Sequence, residues 1–364
     1  MKKHWAYIHY DKLYFLLILI IFGLFLYSIK GILYSESSNI PKNTQNIILQ
    51  ETSLKCDDGT SYGKCSKNKP LFCLNGTLIN KSRSCGCSSD QVIEGENCLS
   101  KFEANPKDIN FQYMLMGETN EIQFIVYKGL SDYLSRLPRY YYCDPDCPTE
   151  LELELEFINE EIQEEYLVEL VEKIKLQTNN KDEQARIAIS LVQTMPYDVG
   201  GYLYDELATN KYPYEVLYDQ DGLCGEKARL LAFLLRELDF EVVFFLFEFE
   251  NHMALGIKCP NQYSYKNTGY CFIETTRPTI ITYVPVYEGG VALTSHQLLK
   301  INEGISFDSV LEEYNDALEL KRLDEEAELN NNYLNEYDYN LWESLVNKYG
   351  LDIAPESNII YSYE

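Results

Sequence analysis

The sequence predicts an α+β protein, and three observations carry that prediction. After a turn at Gly222, the apolar positions Ala228, Leu231, Leu234, Leu235 and Leu238 recur at three and four residues, the period of a helix that opens at Cys224. Two further helical patterns precede it, from about Glu160 to Leu176 and from Asn180 to Met195. Apolar, aromatic-rich runs then follow at Glu241 to Phe249, Asn251 to Ile257 and Cys271 to Thr276, each short enough to be a buried strand.

The chain begins with an uncharged run, Leu13 to Ile29, and Gly31 to Tyr34 continue it past Lys30. At about 1.5 Å per residue, residues 13–34 approach the roughly 30 Å hydrocarbon thickness of a bilayer, which predicts one membrane-spanning helix. A cleaved signal peptide is the competing reading, but no small-x-small cleavage site is evident. Lys2, Lys3 and Lys12 precede the span, so residues 1–12 are expected as a cytoplasmic stub and everything after Tyr34 outside the cell membrane. Residues 35–55, rich in Ser, Asn, Gln and Thr, read as a polar stalk. The formal charge of −26 over 364 residues argues against a nucleic-acid partner.

Placement outside the cytoplasm makes the cysteines interpretable, because exposed thiols there are oxidised into pairs. Six of the eleven, Cys56, Cys65, Cys73, Cys85, Cys87 and Cys98, crowd a segment too poor in apolar residues to build a core. Three disulfides are therefore expected in a small module at 56–98, with pairing open. Zinc is the alternative, disfavoured by the lack of histidine and of Cys-x2-Cys knuckles. In the same module Asn75 and Asn80 match the glycosylation acceptor pattern. Cys143 and Cys147 flank a turn-forming Asp-Pro-Asp and are expected to pair. Cys259 and Cys271 flank a polar connection, and a bridge there would close a loop worth about 3 kcal/mol on the chain-entropy model. Cys224 is left over, and an unpaired thiol outside the cell needs a reason.

From residue 106 the composition becomes that of a folded domain, expected to run to about 300. Glu121 to Tyr127 alternates as a strand, and Leu130 to Leu137 reads as a short helix ended by Pro138. Glu150 to Phe157 alternates Glu with apolar residues in strict period two, which predicts a strand with Leu151, Leu153, Leu155 and Phe157 inward; its glutamates read as a solvated face, with a calcium site the alternative. The helix after Asn180 has Glu183 spaced for a capping box and should bury Ile187, Ala188, Leu191, Val192 and Met195 before Pro196 stops it.

Cys224 then stands at a helix N-terminus, where unpaired N–H groups and the positive dipole end favour an anion, and so a thiolate. His252 opens the second predicted strand and Glu274 lies on the third, giving Cys, His and acid in chain order. That order, with Tyr212-Pro213-Tyr214-Glu215-Val216-Leu217, Gly222 to Leu235 and Phe272-Ile273-Glu274-Thr275-Thr276, resembles the transglutaminase-like superfamily of papain-like cysteine enzymes over residues 180–285. The resemblance implies a papain-like fold, catalytic Cys224, His252 and Glu274, and cleavage of amide bonds in peptides or surface proteins through an acyl-thioester, with no cofactor. Glu274 stands where family members commonly carry Asp, and Ala254 where many carry an aromatic residue.

For the oxyanion, the backbone N–H of Cys224 is the primary donor and the side chain of Gln220 a second candidate, weighed against an ordinary surface Gln. Glu226 and Lys227, in the first helical turn, read as solvent-facing. His4 and His9 precede the span and His296 follows the triad, so only His252 has the required place. Ile281 onward predicts one or two strands, Ser295 to Ile301 a short helix or turn, and residues 301–364 acidic helices, from Ser306 and from Leu334 to Tyr349, with a tail. Transfer of the acyl group to an amine instead of water, or a groove that binds surface protein or glycan without cutting, are the alternative functions.

Overall fold

Six cysteines organise the first part of the molecule. They pair as Cys56–Cys73, Cys65–Cys85 and Cys87–Cys98, around two short antiparallel hairpins, β1 (Leu71–Leu74) with β2 (Thr77–Asn80) and β3 (Gln91–Glu94) with β4 (Asn97–Ser100). This is a computed structural model describing residues 54–139, 147–200, 210–285 and 292–351 and the backbone of Ile360–Tyr361. The span expected at 13–34, the stalk as far as Ser53 and Cys143 lie outside the described residues, among which no helix is long and apolar enough to cross a membrane. Cys147 is disulfide-bonded. Asn75 and Asn80 are both exposed, and the Asn80 amide donates to Asn97.

Next comes a long hairpin, β5 (Pro106–Leu115) and β6 (Glu118–Tyr127), turned at Met116 and Gly117, both with positive φ. Two such residues match the right-handed twist of the strands they join. Alternation puts Ile109, Phe111, Tyr113, Ile122, Phe124 and Val126 on the buried face. Helix α1 (Lys128–Leu134) follows and buries Leu130 and Leu134.

The segment expected as a strand at 150–157 is instead a helix, α2 (Glu150–Ile158). Thr149 caps it, exchanging hydrogen bonds with Glu152 in a full capping box. Leu and Glu are strong helix formers and Glu is a poor strand former, so intrinsic preference overrides the alternation. The burial follows: Phe157 and Ile158 turn inward and Glu154 is buried against Arg229 with oxygen–nitrogen distances of 2.5 and 2.9 Å, while Glu150, Glu152 and Glu156 stay exposed, so three of the four glutamates keep the expected solvated face, on a helix instead of a strand.

Helices α3 (Glu161–Lys175) and α4 (Lys181–Gln193) match expectation closely. The Asn180 side chain caps α4 by accepting from Asp182 and Glu183, while the Glu183 carboxylate goes to the Thr178 hydroxyl instead of back to the cap. Ile187, Ala188, Leu191, Val192 and Met195 are all buried.

Helix α5 (Pro213–Asp219) opens with proline, whose missing N–H costs nothing at that position. It leads to α6 (Cys224–Glu237), which is buried nearly all round and packs on α2, α3, α4 and α5. Its remaining face lies on a four-stranded antiparallel sheet in the order β10-β7-β8-β9, where β7 is Val242–Phe247, β8 His252–Lys258, β9 Tyr270–Ile273 and β10 Gln297–Lys300. Both faces of the sheet are covered. Val242, Phe244, Met253, Leu255, Ile257 and Ile273 belong to the main core with α6, while Val243, Phe245, Phe247, Ala254 and Phe272 form a second cluster with Leu293. Burial on both faces explains why β7 reads as an unbroken apolar run. Strand β10 corrects the helix or turn expected at 295–301: Gln297 to Lys300 pair with the open edge of β7, and Leu299 is buried. The strand expected from Ile281 is a turn as far as it is described, with Ile280 and Ile281 buried.

The Cys259–Cys271 disulfide joins the end of β8 to β9, beside the Lys258–Tyr270 pair. Helices α7 (Leu311–Leu329) and α8 (Glu336–Tyr349) pack on each other around Leu320, Leu323, Trp342 and Leu345. They are fastened to the domain where Arg186 of α4 pairs with Glu313 and donates to Ser309, and where Gly117 N–H donates to the Lys348 carbonyl.

Candidate active site

Three segments converge on Cys224. Gly222 is bridged in parallel to Tyr197, just after Pro196 stops α4, so the chain leaving that helix runs beside the turn before Cys224. Gly222 makes room for this: a Cβ there would sit 3.3 Å from the Glu226 carboxylate. Gly225 has only the Met253 sulfur near its missing Cβ, at 3.7 Å, so no close approach requires it.

Cys224 is the first residue of α6 and the free cysteine among the described residues, half-buried. As a first-turn residue, its N–H has no acceptor inside the helix and can donate outward. His252, at the start of β8, interacts electrostatically with Cys224, and its Nε2 lies 3.1 Å from Glu274 Oε2. With Nε2 held by Glu274, Nδ1 is the nitrogen left for the sulfur. The ring also stacks on Phe247, the residue paired with it across β7 and β8, at 6.1 Å between centroids.

Glu274 is fully buried and saturated with donors. Its Oε1 accepts from Thr275 N, Thr276 N and Thr276 Oγ1 at 2.9, 2.9 and 2.7 Å, and its Oε2 faces His252. It follows β9 directly instead of lying within it. Leu255 pairs with Ile273, so continuing that register sets Glu274 opposite Ala254, on the same face as His252 but two residues along.

Burial pulls the His252 imidazole toward its neutral form, but its interactions with Cys224 and Glu274 more than offset it, holding its pKa up at about 10. The ring is therefore cationic across the neutral range.

The surroundings contain groups that were expected at the surface. Glu226 is buried and ties the turn together, accepting from Leu223 N at 2.8 Å and Lys211 N at 2.9 Å. Lys227 is fully buried, donating to the carbonyls of Met195 and Thr276 at 2.6 and 3.2 Å. A helical wheel puts Glu226 outside the apolar stripe, but α6 has no solvent side, and no local pattern reveals that; Lys227 falls within the stripe, one turn before Leu231, so its burial was signalled by its position. Gln193, from the last turn of α4, donates to the Glu274 carbonyl at 2.8 Å and fixes the acid's backbone. Thr275 Oγ1 donates to the Cys224 carbonyl at 3.3 Å, joining the Glu274 segment to α6.

Gln220 closes α5 in the left-handed conformation, φ 63°, with its N–H on the Val216 carbonyl; no described hydrogen bond brings its side chain to the triad. A surface cleft of about 630 Å³ lined by Tyr133, Glu152, Leu155 and Glu156 contains none of these residues. His296 packs its ring against Phe245, Phe247 and Tyr265 behind the sheet. No protein-family model matches the sequence, and no curated protein matches it.

Proposed function

We propose that the chain is a transglutaminase-like cysteine enzyme that cleaves amide bonds in peptides or cell-surface proteins, with Cys224 as nucleophile. The observation that carries this is one continuous array: a free thiol at a helix start, a cationic imidazole beside it, and a buried carboxylate fixing that imidazole. Such a constellation suits acyl transfer, because each member supplies one requirement of the reaction.

The Cys224 thiolate attacks the amide carbonyl carbon, and the carbon–oxygen electrons move to oxygen, facing the Cys224 N–H. Collapse breaks the carbon–nitrogen bond as His252 gives its proton to the leaving amine. Water then attacks the thioester while His252 takes its proton, and the carboxylic acid leaves with Cys224 restored as thiolate beside imidazolium. Glu274 touches no substrate; it holds the ring orientation and balances its charge. An amine in place of water would give transamidation by the same steps. Placement outside the cytoplasm, behind the expected N-terminal anchor, is supported by the oxidised pairs at Cys56–Cys73, Cys65–Cys85, Cys87–Cys98 and Cys259–Cys271.

Alkylation by iodoacetamide without reductant, from about pH 4 to about pH 9 with peptide mapping, tests the array. Selective labelling of Cys224 is expected to persist below about pH 7 and to be lost in His252→Ala. Titration of Cys224 like an ordinary thiol, whatever occupies position 252, overturns the enzyme and leaves a binding module.

A further inference from the structure

Cys224 and Lys227 are three residues apart at the start of α6, and residues so spaced share a helix face. Lys227 is one of the largest side chains with no exposure at all. Its Nζ meets two main-chain carbonyls, Met195 O at the end of α4 and Thr276 O two residues past the acid, so one ammonium binds together the three segments that form the site. A neutral amide supplies the same two donors without the cost of burying an ammonium. What lysine adds is charge, and the charged group that acts on it is Glu274. Burial draws Lys227 down to about 7 while Glu274 pulls it the other way, so it carries substantial positive charge at and below neutral pH.

The charges explain the need. A thiolate at Cys224 and a carboxylate at Glu274 place two negative groups around a single imidazolium in a largely dry site. We propose that Lys227 is a positioning residue of this active site, the buried counter-charge that keeps Glu274 ionised and favours the Cys224 thiolate without touching substrate. It rests on the cysteine-nucleophile reading above, and it assigns a role to a residue outside the triad. Removing a positive charge raises the proton affinity of every group near it, so both the thiolate and the carboxylate lose ground.

The test compares the pH dependence of Cys224 alkylation in wild type, Lys227→Met and Lys227→Gln, the last keeping a donor for the two carbonyls. In both variants the acid limb is expected to move up by about one pH unit, slowing labelling about tenfold on that side while the plateau rate holds. A merely structural lysine would leave the limb in place in Lys227→Gln. An unmoved limb in a variant with wild-type near-ultraviolet circular dichroism overturns the inference and leaves the enzyme reading standing. If wild-type Cys224 itself behaves as an ordinary thiol, both fall together. Should neither variant fold, wild-type protein labelled with 15N at lysine Nζ decides: alkylating Cys224 removes its negative charge, so the titration of the buried Lys227 is expected to move to lower pH, and an unmoved titration overturns the inference.

Discussion

At the scale of single residues the site is a chain of opposed charges, and His252 and Lys227 respond to pH in opposite senses. The folded pKa of His252 is raised from 6.5 to about 10, so its contribution to stability is complete below the unfolded value and disappears as pH rises through about 10. Lys227 is depressed from 10.5 to about 7, so its burial costs stability below that point and the cost is relieved as pH rises toward the unfolded value. Between about 7 and about 10 the two trends offset each other. Denaturant titrations across that range are therefore expected to show the stability advantage of wild type over His252→Ala shrinking steadily with pH. A constant advantage would mean the imidazole carries no extra proton in the folded state. Cys224 and His252 were legible from the sequence because each follows a local signal, a helix start and a strand start. Glu274 was legible by order along the chain. Gln193 and Glu226 were not, because nothing local to a polar residue off the apolar stripe says that its face will be covered from another part of the chain; Lys227 was misread although its place on the stripe of α6 signalled burial.

At the scale of elements the sequence was read well wherever periodicity and propensity agreed, as in α3, α4, α6, β6 and β8, and misread where they conflicted. The Leu–Glu alternation of residues 150–157 satisfied a strand template, yet the capping box at Thr149 and the helix preference of both residue types decided the outcome. The partner of Glu154, Arg229, lies on another helix and could not be seen from within the segment. This ion pair is buried on both sides, and Arg229 Nη1 already has no hydrogen-bond partner among the described residues. Glu154→Ala would strand the guanidinium entirely, so thermal or chemical unfolding is expected to show a loss of about 3 to 5 kcal/mol. A loss under about 1 kcal/mol would mean that water reaches the pair and screens it. Strand β10 was missed for a related reason: four residues acquire strand geometry only because the edge of β7 is open to them.

At the scale of the whole molecule α6, the helix that opens at Cys224, is also the central element of the core, touching four helices and the sheet. The acidic C-terminal helices sit apart from that centre and are fastened through Glu313, itself buried, with Arg186 as its partner. Glu313→Ala is therefore expected to loosen α7 and α8 selectively. Hydrogen exchange over residues 311–349 should quicken several-fold while Cys224 alkylation keeps its rate, and equal change in both would show that the two regions open as one.

The disulfide spacing described above bears on how the chain reaches its oxidised state. Four bridges with both cysteines among the described residues join partners 17, 20, 11 and 12 residues apart, and none of these four spans Cys224. Each can close from its own neighbourhood, at loop lengths where chain ends meet quickly, before distant sulfurs compete. An activated thiolate is also the species that attacks disulfides, so the nucleophile proposed here would be a hazard to its own precursor during biosynthesis. Local pairing reduces that hazard: these bridges can be complete while Cys224 still lacks His252 and Glu274, and the reactivity proposed for the thiol would arise only when the sheet closes on α6 and few exchangeable partners remain within reach.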